Sequence, residues 1–198
     1  MTLISFRRPE AVRAVLRHGA ADLRPLRRGE REPLLAVFAG MSVQSRANRY
    51  LVGMAELPAS SIAALTDVDG CDHVAWVASV DGTPAGIARF VRTAPDTAEV
   101  AFEVVDAYQG RGLGTVLLDL ITTVAASRGI RRARASVLPT NTASLRLVER
   151  VGITLGYDDG VLEGEGEVRL LDPAHIDRTA VLALDRRHGQ AHETRPCA

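Results

Sequence analysis

The sequence predicts an α+β domain: a mixed, mostly antiparallel central sheet with helices on both faces. Three observations predict it. Apolar segments between His73 and Val105 are joined by tight-turn signals, which makes an antiparallel meander. A glycine loop, Gln109 to Thr115, then opens a stretch with apolar residues at helical spacing. A strand, a second helix and a last strand pair complete the order. The 198 residues suit one domain, and 46% hydrophobic residues supply a sizeable core.

Residues 1–21 are read as a loosely docked N-terminal extension, amphipathic but without the apolar segment of a secretory signal. The segment DLRPLRRGE, from Asp22, is a first strand. Residues 30–38 and 43–51 are helices, with Leu34, Leu35, Val37 and Phe38 on one apolar side. A short helix over 60–65 is capped by Ser60 or Ser61. HVAWVASV, His73–Val80, is apolar almost throughout, as a central strand is. Asp81-Gly82 turns it into a strand over 85–91, and Pro95-Asp96 turns that into one over 98–105. Residues 112–128 carry Leu113, Val116, Leu117, Leu120, Ile121 and Val124 on one helical face and stop at Gly129. A strand over 133–137 follows, then a helix over 141–150 capped by Thr140 or Asn141. Strands over 153–157 and 167–171 flank a glycine-rich turn. From Asp172 the periodicity ends, and 172–198 are read as a partly ordered tail, leaving 22–171 as the folded domain.

Composition excludes several classes. No apolar run reaches the length that spans a bilayer. Formal net charge is zero, which leaves no broad basic surface for nucleic acid. All 24 basic residues are arginine and none is lysine. Cys71 and Cys197 make neither a disulfide framework nor a metal-ligand cluster, so a reducing, cytoplasmic setting is expected. His188 and His192 have metal-compatible spacing but lack a third ligand, and no metal is expected.

The glycine loop carries the chemistry. At a helix start the first N–H groups have no intrahelical partner and lie at the positive end of the helix dipole. Glycines let an anion approach the backbone closely. Gln109, Gly110, Arg111, Gly112, Leu113, Gly114 and Thr115 therefore form a candidate anion cradle, with Arg111 as a charged donor. A Gly-Lys-Ser/Thr phosphate loop is excluded, since there is no lysine. The glycines fall as G-x-G-x-G behind a meander, which fits the dinucleotide fingerprint poorly. A turn that only starts a helix is the bland alternative.

Gln109-x-x-Gly112-x-Gly114, after an apolar strand and before an amphipathic helix, resembles the acyl-CoA pyrophosphate loop of the GNAT acetyltransferase superfamily. Asn141-x-x-Ser144-x-x-Leu147-x-Glu149-Arg150-x-Gly152-Ile153 is similar to that family's second motif, at the family's spacing. The likeness covers residues 22–171. Further stretches, FAGMS (38–42), LTDVD (65–69), HVAWVA (73–78), ARFVR (88–92) and AEVAF (98–102), resemble bacterial protein lysine acetyltransferases. Some of those carry a fused cyclic-nucleotide-binding domain; with about 21 residues ahead of the domain, no such partner is expected here. The resemblance implies the acyl-CoA N-acyltransferase fold, acetyl-CoA as co-substrate and transfer to a primary amine. A protein lysine is the preferred acceptor and a small-molecule amine the rival. No nucleic acid or membrane partner is implied, and a homodimer is left open. A weakly active acetyl-CoA sensor is the alternative from another class.

The same resemblance assigns roles. Backbone N–H groups from Arg111 to Thr115 would cradle the pyrophosphate, Gln109 would brace the turn, and the Thr115 hydroxyl would add a donor. The strand ahead of the loop would splay from its neighbour and pair with the pantetheine arm. Val104 and Val105 then stand where an N–H meets the thioester oxygen. Asn141 and Ser144 join the cofactor set from the second motif. An amine with a pKa of about 10.4 must lose a proton, which calls for a general base. Glu99 and Glu103 project from one face of their strand. Glu99 matches the family's catalytic glutamate and ranks ahead of Glu103; either is otherwise a solvated carboxylate. Many members have a tyrosine in the second motif that protonates the departing thiolate. Here it is Val148, with Tyr157 as the substitute and Tyr108 behind it.

Overall fold

The computed structural model describes residues 10–191. Its elements run β1 (Val12–Val15), β2 (Ala20–Pro25), α1 (Glu32–Ala39), α2 (Val43–Tyr50), α3 (Ala59–Thr66), β3 (His73–Val80), β4 (Thr83–Ala94), β5 (Thr97–Val104), α4 (Leu113–Ser127), β6 (Arg132–Val137), α5 (Thr142–Arg150), β7 (Thr154–Asp158), β8 (Val161–Glu167) and α6 (Arg178–Ala191). The strands form one eight-stranded sheet in the order β1-β2-β3-β4-β5-β6-β8-β7. Among the described residues only the β5–β6 pair is parallel.

Alternation along β3 explains the layering. Val74, Trp76 and Ala78 enter one core, with Phe90, Leu117 and Ile121. Ala75 and Val77 enter the other, with Leu34, Val37, Phe38 and Ile87. A strand buried on both faces must be apolar at successive positions, which is what HVAWVASV supplies. One face is covered by α1 to α3 and the opposite face by α4 and α6. No helix among the described residues is long and apolar enough to cross a membrane.

Both ends of the chain depart from expectation. Residues read as an extension include β1, which pairs antiparallel with β2, burying Val12 and Ala14 and exposing Arg13 and Val15. Four alternating residues are too few to stand out from an amphipathic background. The expected tail contains α6, packed on α4 with Val181 and Leu184 buried. α4 explains why. It buries Asp119 along with its apolar residues, and Asp119 accepts from Arg178 Nη2 at 2.6 Å and from the His175 N–H at 2.6 Å. Arg128 Nη2 reaches Asp185 at 2.5 Å on the same seam. Burying these carboxylates is tolerable only because each has a cation and hydrogen bonds.

Three smaller corrections follow. β8 lies at Val161–Glu167, not at 167–171. Its Gly164 and Gly166, read as turn residues, are strand positions where an added Cβ would meet the Thr154 and Gly152 carbonyls at 1.9 and 1.8 Å. Pro58, not Ser60 or Ser61, stands at the α3 N-cap. Cys71 is disulfide-bonded, against the expectation of reduced thiols; Cys197, like His192, lies outside the described residues.

Candidate active site

β5 and β6 pair at only three positions, Thr97–Arg132, Ala98–Ala133 and Glu99–Arg134. Beyond Glu99 they part: β5 stays on β4 as far as the Val104–Gly86 pair, while β6 stays on β8. A cleft of about 880 Å³ opens between them, bounded by α2, the glycine loop and α5. Most of the predicted site residues meet in it: Glu99, Glu103, Val104, Gln109, Gly110, Gly112 to Thr115, Asn141 and Ser144 all line it.

Alternation decides which backbone groups face the cleft. The Val105 N–H donates to the Ala85 carbonyl at 2.9 Å, so Val105 turns its amide toward β4. In an antiparallel pair the next residue back turns the other way, so the Val104 N–H faces the gap left by β6. The Val104 carbonyl is taken, accepting from Gln109 Nε2 at 3.1 Å. The Val105 N–H is therefore engaged within the sheet, whereas the Val104 N–H is turned toward the cleft.

The loop leaves the first backbone donors of α4 without helical partners. Gly112 caps α4 with φ of 90°, a left-handed conformation that favours glycine. The first intrahelical bond runs from the Val116 N–H to the Gly112 carbonyl at 3.1 Å. The N–H groups of Leu113, Gly114 and Thr115 have no helical partner. A Cβ on Gly114 would stand 3.2 Å from Leu147 Cδ1 and 3.7 Å from the Phe102 ring, so a hydrogen there lets α4 sit close to α5 and β5. Gln109 braces the loop from a second side, donating to Ser45 Oγ of α2 at 3.2 Å. Asn141 caps α5, its side-chain oxygen accepting from the Ser144 N–H at 3.2 Å. Arg111 turns its side chain away from the cleft. Its guanidinium lies over the Tyr108 ring, 5.2 Å from the centroid, and is not among the cleft-lining groups.

The two glutamates share a face and little else. Glu103 has a side chain 1% exposed; it accepts from Arg49 Nε at 2.5 Å and lies 4.0 Å from Arg89 Nη2. Burial lowers Arg49 and the Glu103 carboxylate raises it, the second prevailing. Burial pulls the Arg89 guanidinium down to about 10, with Glu103 opposing, so it remains charged at neutral pH. Glu99 is exposed at the point where β5 and β6 separate, with no ion-pair partner among the described residues. Its cross-strand neighbour Arg134 reaches Glu165 instead, at 3.6 Å.

Of the three tyrosines only Tyr50 lines the cleft. Tyr157 is 73% exposed on β7, and Tyr108 packs between the two cores. The Tyr50 hydroxyl is buried without a partner among the described residues, and burial, then the Glu103 charge, push its phenol above the ordinary range. Val148 is buried in the cleft wall. Sequence reasoning missed Arg49, Tyr50 and Arg89. They reach the site through tertiary packing, and nothing in their local pattern marks them.

Residues 44–153 match the acetyltransferase (GNAT) family. The chain belongs to the GNAT acetyltransferase family. It is 38% identical over 113 residues to acetyltransferase Pat of Mycolicibacterium smegmatis, covering 54% of this chain and 34% of that protein. The chain thus spans about a third of that relative's length. An acetyltransferase of Pseudomonas aeruginosa is 29% identical over 140 residues, covering 68% of this chain and 73% of that one. Among solved structures, the GNAT domain of S. lividans PAT superposes with a TM-score of 0.74 at 34% identity, over 82% of this chain and 100% of that domain. A cAMP-binding acyltransferase from Mycobacterium smegmatis gives 0.67 at 26% identity, over 93% of this chain and 56% of that one. The open, mostly antiparallel sheet is the GNAT fold in these relatives. Acetyl-CoA is the family's acyl donor, and the described residues fit it: among them the first N–H groups of α4 and the β5 edge beyond Glu99 have no backbone partner, and they lead to an exposed carboxylate.

Proposed function

We propose that this chain transfers an acetyl group from acetyl-CoA to a primary amine, a protein lysine side chain, by direct attack. The unpaired edge of β5, running from the phosphate loop to Glu99, is the observation that carries the reading. The N–H groups of Leu113, Gly114 and Thr115 would bind the pyrophosphate, and the β5 edge would pair with the pantetheine arm. The Val104 N–H would donate to the thioester oxygen as charge develops on it. Acetyl-CoA supplies the activated acyl group.

Glu99 would receive the amine's proton, directly or through water. The amine nitrogen then bonds to the acyl carbon, the C–S bond breaks, and the sulfur leaves as thiolate. A thiol pKa of about 8.5 makes that leaving group tolerable without a dedicated acid. Tyr50 suits the acid's role badly, because a phenol raised above its ordinary range holds its proton more tightly than the thiolate would. Glu103 is held by Arg49 and is not offered as base. The lysine acceptor is supported by the stretches shared with bacterial protein lysine acetyltransferases and by the exposure of the cleft mouth at Glu99.

The test pairs lysine-bearing proteins and peptides with a panel of small amines and reads CoA thiol release. Turnover on peptides that collapses in Glu99→Gln, with acetyl-CoA binding intact, is the expected result. Turnover on small amines alone would replace the acceptor. An absence of turnover on every amine would favour the sensor reading.

A further inference from the structure

The cleft rim carries charge that the phosphate loop does not explain. Arg17, Arg146 and Arg150 line it, and none has a carboxylate partner among the described residues. Arg17 is the most informative of the three because its position is built. It lies in the turn between β1 and β2, closed by the Leu16 N–H on the Gly19 carbonyl at 3.0 Å. The Arg17 N–H donates to the Arg111 carbonyl at 3.0 Å, which docks this turn on the phosphate loop. Arg17 Cγ lies 3.8 Å from where a Cβ on Gly112 would stand, so the side chain runs over the residue that caps α4. Val12, Ala14 and Leu16 fix the hairpin in the core, and α6 packs on β1 and β2 behind it. β1, the turn and α6 all lie outside the family match at 44–153, so that match assigns Arg17 nothing.

We infer that Arg17 is a further cofactor-binding residue, a guanidinium carried by the β1–β2 turn onto the pyrophosphate at the glycine loop. The inference rests on the acetyl-CoA reading above. The loop offers backbone dipoles, while its own cation, Arg111, lies over the Tyr108 ring and outside the cleft lining. A pyrophosphate is a doubly charged anion, and a planar guanidinium can give it two parallel, charge-assisted hydrogen bonds. Arg17 fills the place that the sequence assigns to Arg111. The two chain ends thereby acquire a purpose at the site: β1 presents the arginine and α6 supports β1.

Calorimetric titration of the full chain with CoA tests this. Arg17→Gln alters an exposed side chain and leaves the backbone bond to Arg111 in place, so the fold is kept. It should bind CoA about tenfold more weakly at low salt, the scale of one charge-assisted contact, and the gap should shrink as salt screens it. Dephospho-CoA, which keeps the pyrophosphate and lacks the 3′-phosphate, should show the same ratio. Arg17→Lys should recover part of the loss, and Arg13→Gln, on the same hairpin but paired with Asp22, should bind like the wild type. Equal CoA affinity in Arg17→Gln and wild type overturns the inference. A loss seen with CoA but not with dephospho-CoA overturns the pyrophosphate assignment in favour of the 3′-phosphate. Failure of the wild type to bind CoA would instead overturn the acetyl-CoA reading.

Discussion

Replacing Glu103 with glutamine removes a charge and almost no volume, so its effect isolates electrostatics. Glu103 lies 1% exposed between Arg49, 16% exposed, and Arg89, 4% exposed. Without the carboxylate, two guanidinium groups face each other beside the buried Tyr50 hydroxyl. Removing one partner of a buried ion pair costs about 3–5 kcal/mol. Arg49 keeps some contact with water and the new amide oxygen can still accept one hydrogen bond, which places the loss near the lower end, at about 3 kcal/mol. For a domain of this size each kcal/mol moves the midpoint by about 2–4 °C, so calorimetry should record a fall of about 6–12 °C. Glu99→Gln should do the reverse. Exposed and without an ion-pair partner among the described residues, Glu99 should on replacement alter stability by no more than about 0.5 kcal/mol, while kcat for thiol release falls by about 10²–10⁴-fold. A Glu103→Gln protein that melts like the wild type yet has lost turnover would refute the division of labour, because it would make Glu103 the accessible base.

Gln109→Ala removes bonds to the Val104 carbonyl and Ser45 Oγ. KM for acetyl-CoA should rise by about tenfold in steady-state kinetics, with kcat little changed. Gly112→Ala must adopt φ of 90°, at a cost of about 1–2 kcal/mol that a urea titration would register. Asp119→Ala leaves Arg178 and the His175 N–H without their buried acceptor, and unfolding should come about 3–5 kcal/mol earlier. His73 is held below its ordinary pKa of about 6.5 by burial first and Arg89 second, with Asp69 and Asp67 opposing. The unfolded chain therefore takes up this proton first, so the contribution is complete above about pH 6.5 and is lost as pH falls below it. Melting midpoints from pH 8 to 5 should show that decline, and His73→Gln should flatten it. Asp69 does not confound the window. Burial raises its carboxyl, but the His73, Cys71 and Asp72 N–H groups hold it below the usual range, so its share is lost only at lower pH.

What the sequence revealed follows signal length. β3, β4, β5 and α4 carry many turns of a clean period and are bounded by Asp81-Gly82, Pro95-Asp96 and Gly129. β1 offers four residues, and α6 breaks its apolar stripe with arginine and histidine. β8 was displaced because Gly164 and Gly166 serve close strand approach rather than a turn. At the site, the loop and Glu99 sit in contiguous motifs. Arg17, Arg49, Tyr50 and Arg89 become site residues only through packing. Period-two reasoning put Glu99 and Glu103 on one face, but which of them arginine would neutralise depends on α2, more than 50 residues earlier. Which of Val104 and Val105 turns its N–H to the cleft likewise depends on the register with β4, which local sequence does not encode.

The ion pairs that brace the cleft and its supporting helices use guanidinium cations. Three of these pairs position the architecture around the cleft: Arg49–Glu103 ties α2 to β5, and Arg128–Asp185 and Arg178–Asp119 tie α6 to α4. An amine in any of those places would be open to acylation, and acylation would discharge it and strand a buried carboxylate. Guanidinium stays protonated and is a poor nucleophile at neutral pH. The scaffold is thus chemically inert toward the acyl donor it is proposed to hold, however long the two are kept together. After prolonged incubation with acetyl-CoA, peptide mass spectrometry should find no acetyl-lysine on this chain, and its melting point should not drift with time.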